Sequence, residues 1–334
     1  MRKLIVTMIA TLVFVGCKNV EVKENHVDKM QGYEVLATMN QKVEGNSMYC
    51  STMQLAWNEI GERFDKVEVL TKNDLTNNLE KKEFTKDMLS EDDYIATSII
   101  PVRESLEKLK NDVKNKFKEP SDILDMIEPS ADGYLFYSIL LKNFEYKYAF
   151  KDLGEKEGKR YFGFYRHSDD EDVLDQVDVL FYNNKDDFAL RINTKDNEEL
   201  YFYKSDDIQD FSSEYDEMIE KSKTYKGMYH MTENDYMKIP YMKFDEFKAY
   251  EKLKGVELRL DEMDYVVTKA IQTIKFELTN KGGKLKSEAA IMVEKCAPVE
   301  LDDLERDFIC DKQFTMFIKE ENKERPYFAL RMEK

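Results

Sequence analysis

From Tyr134 to Ser205 the chain supplies one strand-forming run after another: YLFYSILL (134–141), RYFGFYRH (160–167), QVDVLFYNN (176–184), FALRINT (188–194) and ELYFYKS (199–205). Turn residues separate them, which favours antiparallel pairing. The first run is apolar throughout, the pattern of a strand buried on both faces. The same character returns in YMKIPYMKF (236–244), YVVTKAIQTIKFELTN (265–280), FTMFIKEE (314–321) and PYFALRME (326–333). Helical passes at 208–223 and 247–255 interrupt the strands, the second stopped by Gly255.

The first third reads differently. MQGYEVLATMNQKV (30–43) and STMQLAWNEIGERFDKV (51–67) carry apolar residues three and four apart, as amphipathic helices do. RESLEKLKNDVKNKF (103–117) predicts a charged surface helix with Leu106, Leu109, Val113 and Phe117 facing inward. NSMYC (46–50) and YIATSIIPV (94–102) are strand-like, the latter until Pro101. No repeat, Gly/Ser linker or low-complexity tract divides the chain. The expectation is an α+β fold, with N-terminal helices packed on large, mostly antiparallel sheets, forming a single domain over 31–334.

The amino terminus predicts an address. MRKLIVTMIATLVFVGC has two basic residues, then an uncharged run from Leu4 to Val15 that is short for a membrane span and suits a signal peptide. Phe14-Val15-Gly16-Cys17 resembles a bacterial lipobox, which implies cleavage before Cys17 and lipid attachment to its sulfur. Residues 1–17 are then the signal peptide, and 18–30 a polar tether. The expected location is the extracellular side of a bacterial cell membrane, lipid-anchored, or otherwise secreted. Losing Arg2 and Lys3 takes the net charge from −17 to −19, which argues against nucleic acid as a partner.

Chemistry-bearing residues are sparse. Besides Cys17 only Cys50, Cys296 and Cys310 occur, with no CxxC spacing, and the three histidines are scattered at 26, 167 and 230. SDDEDVLDQVD (168–178) lacks the glycine turn and closing glutamate of a calcium loop and reads as a solvated turn. No nucleophile–base pair, phosphate loop or metal spacing stands out. The expectation is a monomeric non-enzyme without cofactor or metal.

One segment, NKGGKLKSEAAIMVEKCAPVELDD (280–303), is half strand and half loop. Together with what surrounds it, it resembles the serpin family. YVVTKAIQTIKFELTNKGGKLKSEAA (265–290) is similar to the serpin strand that runs into a hinge. FICDKQFTMFIKEENKERPYFALRM (308–332) is similar to the closing hairpin. KIPYMKFDEFKAYEKLKG (238–255), EPSDILDMIEPSADGYLFYSILLKNFEYKYAF (119–150) and NSMYCSTMQLAW (46–57) match further passages, in family order. The resemblance implies a bait loop, 283–301, protruding near the C-terminus. A serine or cysteine protease would cut it, and the freed strand would insert into the main sheet and trap the enzyme.

Insertion needs alternate side chains to face the core. Gly283, Leu285, Ser287, Ala289, Ile291 and Val293 are small or apolar, whereas Lys284, Lys286, Glu288 and Glu294 fall on the other face. Gly282, Gly283, Leu285, Ser287, Ala289 and Ala290 are the hinge residues that the resemblance implies. Counting from Gly282 puts the scissile bond at Cys296-Ala297, or at Glu300-Leu301 if the hinge has gained four residues. The chain departs from the family where Leu285, Lys286 and Glu288 break a run of small residues. It departs again where Cys50, Met53, Tyr137 and Thr268 replace polar residues at the sheet-opening point. A non-inhibitory serpin-fold lipoprotein, serving as a binding or structural module, is the alternative.

Overall fold

The computed structural model describes residues 29–168, 170–206, 208–286 and 305–333. In chain order, β1 (Glu34–Leu36) and β2 (Ser47–Cys50) lead into α1 (Thr52–Arg63), β3 (Val67–Val69) and α2 (Asp74–Leu79). Then come β4 (Tyr94–Ile99), α3 (Arg103–Phe117), β5 (Leu135–Leu140), β6 (Lys142–Glu145), β7 (Lys151–Lys156) and β8 (Lys159–Phe164). A short α4 (Glu171–Asp175) precedes β9 (Val177–Asn184), β10 (Asp187–Asn193), β11 (Glu198–Lys204) and α5 (Phe211–Thr224). The remainder is β12 (Tyr236–Pro240), β13 (Met242–Ala249), β14 (Glu257–Leu260), β15 (Met263–Val266), β16 (Ile271–Thr279) and β17 (Gly282–Lys286). After residue 304 follow β18 (Asp307–Ile309), β19 (Phe314–Glu320) and β20 (Phe328–Met332).

The largest sheet has the order β1-β2-β20-β19-β11-β10-β9. Its central strands are buried on both faces, so their two side-chain rows enter different cores. Leu200 and Phe202 of β11, with Phe314, Met316 and Ile318 of β19, join the main core. Tyr201, Tyr203 and Phe317 point the other way, against Phe211, Tyr215 and Met218 of α5. Facing the main core is a second sheet, β13-β16-β17-β6. It docks through Phe276, whose ring centroid lies 4.9 Å from that of Phe328. Among the described residues the ladders are antiparallel except β1 with β2 and β12 with β18. The fold class is therefore α+β.

Helix α3 spans the residues its pattern predicts, burying Leu106, Leu109 and Val113. It stops where Lys118 turns left-handed, donating its amide to the Lys114 carbonyl. Two helix expectations are corrected. Residues 30–43 form β1 and then turns, in which the Gln41 carboxamide oxygen accepts the Ala37 and Thr38 amides. The spacing of Met39 and Val43 reflects anchors of a folded-back loop, since both enter the α5 core. In 247–255, β13 runs on to Ala249 because β16 pairs with it as far as Ile271, and Tyr250 and Leu253 then anchor a turn. Residues 168–178 hold α4, capped by the Asp170 carboxylate on the Val173 amide.

Two carboxyls are buried beside the large sheet. Glu214 accepts from Ser205 Oγ at 2.6 Å and Thr315 Oγ1 at 2.7 Å, with Arg331 3.6 Å away. Glu320 accepts the Ser90 amide at 2.8 Å. Burial pushes both up to about 7, and the hydrogen bonds and nearby cations offset it only in part. A carboxyl raised above its ordinary value stabilises the fold fully below that value and loses the contribution as pH rises through the folded one. The melting temperature should therefore fall between about pH 5 and about pH 8, by up to ~3 kcal/mol of stability per group. Glu320→Gln should flatten that slope in thermal melts, and a variant curve parallel to the wild type would contradict it.

Candidate functional site: a half-filled seam in the second sheet

Gly283 and Leu285, which the resemblance placed in a protruding loop, lie with the hinge residue Gly282 inside a sheet. After the turn at Asn280 and Lys281, β17 runs back antiparallel to β16, with Thr279 opposite Gly282 and Lys275 opposite Lys286. Its other edge pairs with β6, from Gly282 opposite Glu145 to Leu285 opposite Lys142. The close fit requires glycine. Gly282 has φ +145, and a Cβ there would come within 2.1 Å of the Phe144 carbonyl oxygen. A Cβ on Gly283 would lie 2.5 Å from Cζ of Phe144. The turn is also tied down: Tyr146 and Phe150 donate their amides to the Lys281 and Asn280 carbonyls at 3.0 and 2.8 Å.

The predicted alternation holds over the part of the segment described. Leu285 is buried in the main core, while Lys284 is exposed and Lys286 points to the same outer face. Ser287, Ala289, Ala290, Cys296, Ala297, Glu300 and Leu301 lie outside the described residues, as does Cys17.

The two neighbouring strands continue past the level of Lys286, the last described residue of β17. On β16, residues Ile271–Ile274 have no ladder partner on the β17 side among the described residues. On β5, which continues β6 toward its N-terminal end, only the edge facing β4 is paired among the described residues. Between them lies a cavity of about 840 Å³, bounded at one end by Lys286. Its floor is α1, through Met53, Ala56, Trp57 and Ile60. This cavity corrects the reading of 134–141 as a strand buried on both faces, since Leu135, Phe136, Ser138 and Ile139 are only partly buried. Similarly, 265–280 is two strands, broken at 267–270 beside the cavity mouth.

Of the positions singled out at the sheet-opening point, Met53, Tyr137 and Thr268 line this one cavity, and Cys50 does not. Met53 lines the cavity floor and Thr268 its exposed mouth. Tyr137 lines the cavity and also packs into the α3 cluster, its hydroxyl donating to Ser121 Oγ at 3.1 Å and pushed up to about 12 by burial. Cys50 ends β2 and Cys310 follows β18 in a different sheet. Both are buried thiols, and burial pushes Cys310 up to about 12. A thiol raised in this way, as Cys310 is, is a poor nucleophile.

Sequence reasoning missed the polar residues that hold this region. Gln272 on β16 donates through Nε2 to the Cys50 carbonyl at 3.0 Å and to Thr52 Oγ1 at 2.7 Å, tying the sheet to the start of α1. On the outer face, Asp122 accepts from Lys275 at 2.7 Å and from Lys286 at 3.2 Å, and Glu119 pairs with Lys284. Burial alone would raise the Asp122 carboxyl; these two lysines hold it below its usual range. Their partners are more than 150 residues away in the chain, so no local pattern announces them.

No protein-family model matches the chain, and no curated protein matches it. Solved structures do. A loop C-sheet serpin polymer aligns over 89% of this chain and 92% of its own, at 10% identity and a TM-score of 0.48. Serpin48 from the insect Tenebrio molitor aligns over 87% and 92%, at 13% identity and 0.45. The native state of the thermophilic serpin tengpin aligns over 87% and 89%, at 11% identity and 0.45. The chain is similar to these serpins along most of its length.

Proposed function

We propose that this chain is a surface-anchored, serpin-like protease trap in which the segment after Lys286 is the bait. The observation that carries the reading is β17 itself. It lies between two other strands as far as Lys286, and a cavity whose lining includes Lys286 lies between the continuations of those two strands. A protease would cut at Cys296-Ala297, or at Glu300-Leu301. Its serine or cysteine nucleophile would bond the carbonyl carbon of the residue before the cut, and the amine of the residue after it would leave. The new end would then move along the cavity.

Both existing registers extend from Ser287, over four residues along β16 and six along β5. Continuing the β16 pairing sets Ser287 opposite Ile274 and Ala290 opposite Ile271. Continuing the β6 pairing through β5 sets Ser287 opposite Leu140 and Met292 opposite Leu135. With Leu285 inward, Ser287, Ala289 and Ile291 would face α1, so small or apolar groups would meet Met53 and Trp57. The partner is a serine or cysteine protease near the cell envelope, and Cys17 is the proposed lipid attachment.

The test is incubation with a panel of serine and cysteine proteases, read on denaturing gels. The expected result is a complex, stable in detergent, at close to one protease per chain. Clean turnover with no complex would reject trapping. It would favour the second reading, a non-inhibitory serpin-fold lipoprotein, which the bulk and charge of Leu285 and Lys286 at the leading end of β17 support.

A further inference from the structure

Strand β4 has an outer edge that nothing among the described residues covers. It pairs with β5 from Tyr94 opposite Leu140 to Ile99 opposite Leu135, and the Leu141 amide donates to the Asp93 carbonyl at 3.1 Å. Bonded residues alternate in an antiparallel ladder. Asp93, Ile95, Thr97 and Ile99 therefore turn their backbone groups to β5, and Tyr94, Ala96 and Ser98 turn theirs to the outer edge. Both ends of that edge are capped. Lys116 of α3 donates to the Tyr94 carbonyl at 2.7 Å, and the Ile100 carbonyl takes the Val102 amide at 2.8 Å. Between the caps, the amides and carbonyls of Ala96 and Ser98 have no hydrogen-bond partner among the described residues. All of β4 is only half-buried, and Ile100 beyond it is 41% exposed. An open strand edge of this kind is a template for another strand.

We propose that the strand it takes is the β4 edge of a second copy of this chain, paired antiparallel about a two-fold axis at Thr97. The caps select this register. Setting Ala96 opposite Ser98 of the second copy puts open groups on open groups, about two hydrogen bonds for each of the two symmetry-related pairs, and leaves both caps in place. Centring the axis on Ala96 or on Ser98 would set the other of these residues against a capped position. Pro101 does not obstruct the contact. It shares the inward parity of Asp93 and Ile99, and its carbonyl accepts the Ser130 amide at 2.9 Å, so its missing N–H falls on the inner side. Beyond the strand, the same register brings Glu91 of each copy to Arg103 of the other. Both are exposed, and neither has an ion-pair partner among the described residues. Opposite charges therefore meet twice across the axis. Ile100 comes beside the second copy's Tyr94, an aliphatic–aromatic cross-strand pair. The contact uses no part of the bait segment, so it stands apart from the trapping reading, and it revises the monomer expected from the sequence.

Sedimentation velocity of the full chain, from about 1 to about 200 µM, should show a monomer passing to a dimer with a dissociation constant of about 10 µM, as suits so small a contact. Glu91→Arg and Arg103→Glu should each weaken the dimer about tenfold at an unchanged melting temperature, because both side chains are exposed. The two reversals together should restore the wild-type constant. In hydrogen exchange, the Ala96 and Ser98 amides should slow as the concentration rises through that constant. A chain that stays monomeric across the range would overturn the proposal. So would a dimer indifferent to either reversal, or one that the two reversals together leave weakened. Slow exchange of those amides in a monomer at every concentration would mean that another segment of this chain lies on the edge, and would equally overturn it.

Discussion

Nicking the chain within 290–301 is expected to raise its melting temperature by about 10 °C or more. Six further residues inserted between β16 and β5 would pair with Leu135–Leu140 on one edge of the cavity and, for the first four of them, with Ile271–Ile274 on the other. They add about ten backbone hydrogen bonds at ~1 kcal/mol net each, and they bury Ala289 and Ile291 over α1. Ordering six residues costs about 1 kcal/mol or more apiece. The balance is on the order of 5 kcal/mol, which for a chain of this size corresponds to roughly 10 °C. Calorimetry before and after limited proteolysis measures it. A melting temperature that stays level or falls would mean that the cavity does not accept the strand.

Replacing Gly282 with alanine should cost about 2–4 kcal/mol, because the new methyl group meets backbone, which cannot swing aside. The position combines φ +145 with a Cβ site 2.1 Å from the Phe144 carbonyl oxygen and 2.8 Å from Glu145 Cα. Either β6 moves away or β17 leaves the sheet. Both break the ladder from Gly282 to Leu285, so amide protection along β6 should drop. Gly32→Ala is the matched control. It also has a positive φ, +85, but nothing lies within 4 Å of its Cβ position, so only backbone strain of about 1 kcal/mol is expected. Equal losses at the two positions would show that the contact with β6 contributes nothing.

Much of the architecture could be read from the residues because burial imposes a period. Leu106, Leu109 and Val113 mark α3, and the alternation of Ile274, Phe276 and Leu278 marks β16. The reading failed where the same spacing has another cause. Met39 and Val43 are loop anchors, and Tyr250 and Leu253 close a turn; each pair imitates a helical stripe. The seam was half legible. The glycines and the inward Leu285 were visible in 280–303, but their seat in the sheet depends on Phe144 and Glu145, far away in sequence. Glu119, Asp122 and Gln272 act through partners that no local pattern connects, so they emerged only from the fold.

The position of the last strands bears on how the molecule is made. β19 and β20 lie in the middle of seven, between β11 and β2, rather than at an edge. During synthesis, the two halves of that sheet leave the ribosome with apolar edges open until residue 332 has been added. Premature termination before Phe314 would leave those halves unjoined, exposing strand edges of the kind that aggregate.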